Sequence, residues 1–319
     1  MKNYKDQFGV EIQPNYPTRK KLVKSGCLIE VYKFGADIML GRKLRKSRTP
    51  EEEALRHKEP SSLEDILKSS CRRSKRMIKR LIYTNSFKWF KNNNKPYLPI
   101  TLTLTFKENI QDLKQANYEF TKFIRRLNYE TNGIEGKDLK QSNLKYLAVF
   151  ELQERGAIHY HMIFFNLPYI KNIYDKLRDI WGQGRIMVGG KEQNFKKIKN
   201  QDQLKKIIDY FIKYIQKSIF DNQFPGQKKY ITSKGLLKPQ EQYFEEVIDL
   251  IESEIPLDCL VYKRDGETEY NNSDINDTVG QPKNYLRWLN YWQYDLSNNP
   301  HAEDRINEIL ETYCWFLWN

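Results

Sequence analysis

The stretch Gly156-Ala157-Ile158-His159-Tyr160-His161-Met162-Ile163-Phe164-Phe165 decides how the rest of the chain is read. Its β-branched and aromatic content predicts a strand. Two of the chain's four histidines lie in it, two residues apart. Side chains alternate along a strand, so His159 and His161 share a face. A second apolar run, Leu144 to Phe150, precedes it and ends in Glu151. The polar, glycine-containing Gln153-Glu154-Arg155-Gly156 joins the two runs as a hairpin, which brings Glu151 beside the histidines as a third ligand. Two imidazoles and one carboxylate leave coordination positions open, which suits a divalent ion that must also hold substrate oxygens. The competing interpretation is two partly buried histidines in an apolar strand. A same-face pair with a carboxylate one hairpin away favours the metal.

Working outward, Ile100-Thr101-Leu102-Thr103-Leu104-Thr105-Phe106 alternates threonine with apolar residues, as a strand with one face in the core does. Residues 112–130 place Leu113, Ala116, Phe120, Phe123, Ile124 and Leu127 at helical spacing. Further helices are predicted at Tyr169 to Trp181 and Gln201 to Phe220, with a short strand at Arg185 to Val188 between them. The order over 97–220 is therefore β-α-β-β-α-β-α. Its first six elements fit the split βαβ, ferredoxin-like arrangement: an α+β fold whose antiparallel sheet of about five strands carries helices on one face.

In the helix at 201–220, Leu204, Ile208, Phe211, Ile215 and Ile219 form a buried stripe. Tyr210, Lys213, Tyr214 and Lys217 form a second stripe at i, i+3, i+4 and i+7, positions that are surface neighbours. A phenol is a weak nucleophile, with an ordinary pKa of about 10. Neighbouring ammonium groups favour the phenolate and hence attack on phosphorus. A metal at Glu151, His159 and His161 would polarise a DNA phosphate for Tyr210 or Tyr214. The products would be a 5′-phosphotyrosine and a free 3′-hydroxyl, and the second tyrosine would permit a second cleavage. The bland alternative is a pair of boundary tyrosines with packed rings and wet hydroxyls.

The net charge is +13, unevenly spread: residues 1–240 carry a surplus of 25 positive charges and residues 241–319 an excess of 12 negative ones. This points to a polyanionic partner for the first three-quarters of the chain. Ser61-Ser62-Leu63-Glu64 is a capping-box pattern. It precedes a basic helix over Ser70 to Phe90 with the apolar stripe Met77, Ile78, Leu81 and Ile82. Around that stripe Arg72, Arg73, Lys75, Arg76, Lys79 and Arg80 would lie along a phosphate backbone, or form a solvated helix face. Cys27, Cys71, Cys259 and Cys314 make no C-x-x-C pattern, and no stretch reaches 18 apolar residues. The expectation is a soluble, cytoplasmic protein with no membrane contact. Three regions are expected: a basic 1–70, a catalytic 71–240 and an acidic, aromatic-rich helical 241–319.

With those motifs in order, the chain resembles the HUH endonuclease superfamily, specifically the rolling-circle replication initiators (Rep) of plasmids and single-stranded DNA phages. Thr101 to Phe106 resembles the first motif, His159-Tyr160-His161 the His-hydrophobic-His motif, and Tyr210 to Lys217 the two-tyrosine form of the third. Ser233-Lys234-Gly235-Leu236 is similar to a segment that closes the domain in many of these proteins. The resemblance covers roughly residues 71–240. It implies metal-assisted nicking of one strand at an origin, a covalent tyrosine intermediate, rejoining at termination, and Mg²⁺ or Mn²⁺ as cofactor. It further implies DNA contacts at Thr103, Thr105 and Arg155, and both single- and double-stranded origin DNA as partner. A mobilisation relaxase or single-strand transposase would share the chemistry, and a non-catalytic DNA-binding regulator is the alternative from another class. Both tyrosines read Tyr-x-x-Lys, so the motif does not rank them, and the sequence leans to Tyr214. No Gly-x-x-x-x-Gly-Lys-[Ser/Thr] pattern occurs, so a host helicase is expected; a homodimer is compatible with the sequence.

Overall fold

The structure is a computed structural model that describes residues 4–5, 11–12, 16–40, 63–153, 155–189, 197–220, 230–265, 267–269 and 286–315. Its elements in chain order begin with β1 (Tyr4–Lys5), β2 (Glu11–Ile12), β3 (Tyr16–Ser25), β4 (Leu28–Leu40) and α1 (Leu63–Asn85). Then come β5 (Ile100–Thr105), α2 (Leu113–Glu135), β6 (Tyr146–Leu152), β7 (Ile158–Phe164), α3 (Ile173–Trp181), β8 (Ile186–Val188) and α4 (Gln201–Phe220). The chain continues with β9 (Tyr230–Thr232), β10 (Gln240–Gln242), α5 (Glu245–Glu254), β11 (Leu260–Arg264), β12 (Glu267–Glu269), β13 (Leu286–Asp295) and α6 (Pro300–Trp315). Two compact units result, one of residues 62–238 and one of residues 1–61 with 239–319.

In the unit 62–238 the sheet order is β8-β5-β7-β6-β9, with every pair antiparallel. The first four strands have the ferredoxin-like order expected from the sequence, and β9 extends it at the β6 edge. Period two divides the strands cleanly. Ile100, Leu102 and Leu104, then Tyr146, Ala148 and Phe150, then Ile158, Tyr160, Met162 and Phe164 all enter one core. The helical periodicity of α2 supplies Ala116, Phe120, Phe123 and Leu127 to it, and α3 supplies Leu177 and Trp181. Phe106 and Trp181 rings pack at 4.9 Å, and Phe120 and Tyr160 rings stack at 4.6 Å. Each side chain fully buried here stabilises by roughly 1.5–3 kcal/mol, which makes this core the main source of the unit's stability.

Local chemistry fixes the ends. The Asp112 carboxylate accepts from the Lys114 and Gln115 amides and starts α2, and Gly136 at φ 64° closes it. Buried Asn128 accepts from the Asn143 and Leu144 amides, and Asn132 donates to the Asp138 and Gln141 carbonyls. The loop feeding β6 is thereby held before the strand begins.

The opposite face of the sheet carries Leu147, Val149, Glu151, His159, His161 and Ile163. There α4 packs on β6 and α1 packs on α4, with Leu204, Ile207, Ile208 and Phe211 buried. The two crossover helices thus cover one face and the tyrosine helix covers the other. Ile215 and Ile219 of the expected stripe lie outside the residues whose side chains are described. The capping-box segment and the basic helix form one continuous helix, α1, which stops at Asn85 because Phe87 takes φ 64°. Met77, expected in the apolar stripe, is 37% exposed, while Ile78, Leu81 and Ile82 are buried.

The other unit is built from both ends of the chain. Its sheet runs β10-β3-β4-β13-β11, with β12 also pairing β13. Leu22, Val23, Ile29 and Val31 on the strands are buried, as are Val247, Ile248 and Ile251 on α5 and Ile306 and Leu310 on α6. The acidic C-terminal stretch, expected to be helical, therefore contributes strands as well as helices, and β13 pairs with β4 from Leu289↔Phe34 to Asp295↔Leu28. Long-range pairing overrode its local pattern.

Candidate active site

The hairpin of β6 and β7 sets the geometry. Glu151 lies opposite His159 and Val149 opposite His161. On the other side of β7, Thr105 faces His159 and Thr103 faces His161. Glu151 is 8% exposed, His159 6% and His161 3%, so three groups that normally seek water are held in an apolar wall. Such burial persists only where partners, protons or a metal compensate.

His161 is the hub. Its Nε2 lies 2.9 Å from Glu151 Oε1, and its Nδ1 lies 2.9 Å from the Tyr210 hydroxyl and 3.2 Å from Thr103 Oγ1. A carboxylate only accepts, so Nε2 carries the ring hydrogen toward Glu151, and Nδ1 accepts from Tyr210 or Thr103. The Tyr214 ring stacks on the imidazole with centroids 3.7 Å apart and planes 14° apart. The Tyr210 and Tyr214 rings meet edge to face at 4.6 Å. The spacing of one helical turn thus delivers both phenols of α4 to one histidine.

Two buried atoms of this cluster have no hydrogen-bond partner: Glu151 Oε2 and His159 Nε2. Leaving such atoms unpaired costs roughly 1–3 kcal/mol each. Burial, reinforced by His161, depresses the His159 pKa to about 4 against the opposing pull of Glu151. His159 is therefore neutral near neutral pH, with a ring lone pair available for a cation. Among the described residues no three or more His, Cys, Asp or Glu side chains are drawn together as a ready cation cage, because Glu151 closes directly on His161. The donor types and the two unpartnered atoms nevertheless fit a divalent ion in their chemistry: two imidazoles and a carboxylate.

The other expected residues divide. Thr103, expected as a DNA contact, bonds to the His161 ring, and Thr105 is half-buried opposite His159. The Arg155 guanidinium donates from Nη2 to the Phe106 carbonyl at 2.8 Å and from Nε to Gln153 Oε1 at 3.2 Å. It therefore braces the hairpin while remaining exposed. Lys213 is exposed on α4, and the Lys217 side chain lies outside the described residues. On α1, Arg72, Arg73 and Arg76 are exposed and Lys75 and Lys79 half-buried. Arg80 is buried, which removes it from the expected phosphate-facing set: every residue from Arg80 to Ser86 is buried, so the last turns of α1 carry it inside.

One contributor escapes the sequence reading. Gly184, at φ 151°, lets the chain cross the end of β5, where a Cβ would come within 2.4 Å of the Thr105 carbonyl oxygen. The Trp181 indole donates to that same carbonyl at 3.1 Å. The Gly182-Gln183-Gly184 spacing after Trp181 was the available signal.

Residues 99–219 match a family model described as a replication-associated protein of the ORF2 type. No curated protein and no solved structure gives a match. Among the described residues no helix is long and apolar enough to cross a membrane. The matched segment spans β5 through α4 and so contains Glu151, His159, His161, Tyr210 and Tyr214. Through the segment that holds these residues, the chain is similar to the replication-associated proteins of that family.

Proposed function

We propose that the chain is a replication initiator that nicks and rejoins one DNA strand at an origin through a tyrosine ester. The observation that carries this reading is the meeting of the Tyr210 hydroxyl and the Tyr214 ring at His161, beside two buried and unpartnered ligand atoms. A DNA-binding regulator would have no use for that arrangement.

Glu151, His159 and His161 would hold a Mg²⁺ or Mn²⁺ ion. When bound, that ion supplies Lewis-acid polarisation of the scissile phosphate. The chain's own residues do the remainder. With His161 Nε2 given to the cation, the ring hydrogen sits on Nδ1 and is directed at the Tyr210 oxygen. A hydrogen bond of that sense favours the phenolate over the phenol. Thr103 Oγ1 accepts from the same Nδ1 and keeps the imidazole in register.

Tyr210 makes the first attack in this account, because its hydroxyl is the one bonded to the ring. Its oxygen bonds to phosphorus, the bond from phosphorus to the 3′-oxygen breaks, and that oxygen leaves as a 3′-hydroxyl. One phosphate ester replaces another, so the 3′-hydroxyl can reverse the step and reseal the strand. Tyr214, one turn along, is available for a second transfer while the first strand end remains attached.

The test is a tiled set of labelled single-stranded oligonucleotides spanning the gene and its flanks, incubated with protein and Mn²⁺. Discrete cleavage at one site is expected, lost in the Tyr210→Phe, Tyr214→Phe double variant. Undiminished cleavage by that variant would reject the reading.

A further inference from the structure

The active site occupies one end of the sheet, and a second feature occupies the other. Between α1 and β5 the chain runs Ser86-Phe87-Lys88-Trp89-Phe90-Lys91-Asn92-Asn93-Asn94-Lys95-Pro96-Tyr97, with three lysines, four aromatic rings and no acidic residue. It is a preformed hairpin. The Tyr97 amide donates to the Trp89 carbonyl at 2.8 Å, the Lys91 amide to the Lys95 carbonyl and the Asn94 amide to the Lys91 carbonyl, each at 3.0 Å. Phe87 at φ 64° and Asn94 at φ 58° hold left-handed backbone that costs free energy in a non-glycine residue, most of all in a bulky one. With that much fixed, Phe90 is nonetheless 60% exposed and Lys88, Lys91 and Lys95 are all on the surface.

A second segment is fastened to it. Asn85 donates to the Leu237 carbonyl and accepts from the Leu237 amide, both at 2.9 Å. Lys145 lies over the Trp89 ring at 5.2 Å and donates from Nζ to the Lys234 carbonyl. Exposed Lys234 and Lys238 thereby join the hairpin's lysines. Lys145 precedes Glu151 by six residues on β6 and its flank, on the same face by the strand period. At roughly 3.3 Å per residue the patch lies about 20 Å from the active site.

We propose that this hairpin is a second contact for single-stranded DNA, with Phe90 as a stacking platform for one unpaired base. Lys88, Lys91, Lys95, Lys234 and Lys238 are the phosphate contacts around it. The chemistry is that of strand binding without sequence readout: an aromatic face open to solvent, cations about it, and a scaffold ordered before the ligand arrives. It goes beyond the nicking reading, since it concerns how a strand is held away from the cut.

The test uses the full chain in EDTA and a fluorescein-labelled oligo(dT) of about 30 nucleotides, a length chosen because stacking is tolerant of sequence. Phe90→Ala is expected to weaken binding about 5- to 150-fold, and Phe90→Trp to restore it. A Lys88→Ala, Lys91→Ala, Lys95→Ala variant is expected to lower the slope of log affinity against log salt by about 2. Phe90→Ala should leave that slope unchanged, which separates stacking from charge. Thermal melting confirms that each variant is folded. Wild-type affinity and slope in both folded variants would overturn this proposal alone. Failure of the wild-type protein to bind the oligonucleotide would overturn it together with the DNA-processing reading.

Discussion

The Tyr210 hydroxyl lies 2.9 Å from Nδ1 of His161, while Glu151 holds the opposite nitrogen of the same ring at 2.9 Å. The two tyrosines of α4 consequently have unlike relations to one imidazole: Tyr210 meets it through its hydroxyl and Tyr214 through its ring. Tyr210→Phe should lower the first cleavage at least ~100-fold, the scale on which one positioned catalytic group acts. Tyr214→Phe should spare the first cleavage and abolish the second transfer. Single-turnover cleavage and strand-exchange assays on one oligonucleotide separate the two outcomes.

The cation reading has its own readout. Titration of Mn²⁺ followed by calorimetry should show a single site in the wild-type protein. His159→Gln, His161→Gln or Glu151→Gln should each weaken it at least ~10-fold, because a coordinating donor is lost. Equal Mn²⁺ affinity in all three variants would move the cation elsewhere.

Tyr160 supplies the control. It lies between the two histidines in sequence but on the other face of β7, where its hydroxyl donates to Asn117 Oδ1 at 2.7 Å. Tyr160→Phe should destabilise by about 1 kcal/mol through that hydrogen bond. It should leave Mn²⁺ affinity unchanged. Chemical denaturation and calorimetry together check both halves.

Gly184→Ala should destabilise the 62–238 unit by about 2 kcal/mol or more, since its Cβ would meet backbone atoms of Thr105 and Lys107 that cannot move alone. A melting temperature equal to that of the wild type would contradict the close approach.

Alkali should weaken the other unit through Cys27. Its thiol is pushed up to about 12 by burial, aided by the charges of Asp295 and Glu303. A group whose folded pKa is raised stabilises fully below its unfolded value, so this contribution is present below about pH 8.5 and is lost as pH rises toward 12. At pH 8 the native thiol should resist iodoacetamide, since the thiolate is the nucleophile. Peptide mapping of alkylated protein, native against urea-unfolded, measures it.

The reach of the sequence follows from how local each signal is. His159, His161 and Glu151 were legible because period two and a short hairpin fix which side chains share a face. The ferredoxin-like order was legible because each strand and helix between Ile100 and Phe220 has its own period. Arg80 and Met77 were misjudged since α1 is more deeply enclosed at its C-terminal end than a single apolar stripe implies. The pairing of β13 with β4, Tyr291 opposite Tyr32, joins positions far apart in the chain, and no local pattern names a strand's partner. Nor could Tyr210 and Tyr214 be told apart, because both precede a lysine by three. Only the orientation of α4 over His161 distinguishes hydroxyl from ring.

The central claim is that a phenol beside His161 becomes bonded to DNA phosphorus. An oligonucleotide labelled on the 3′ side of its cleavage site, incubated with protein and Mn²⁺ and run on a denaturing gel, measures this directly. The account predicts label migrating with the protein and, after proteolysis, a nucleotide adduct mapped by mass spectrometry to Tyr210 or Tyr214. Cleaved DNA with a free 5′ end and no protein-linked label would contradict it.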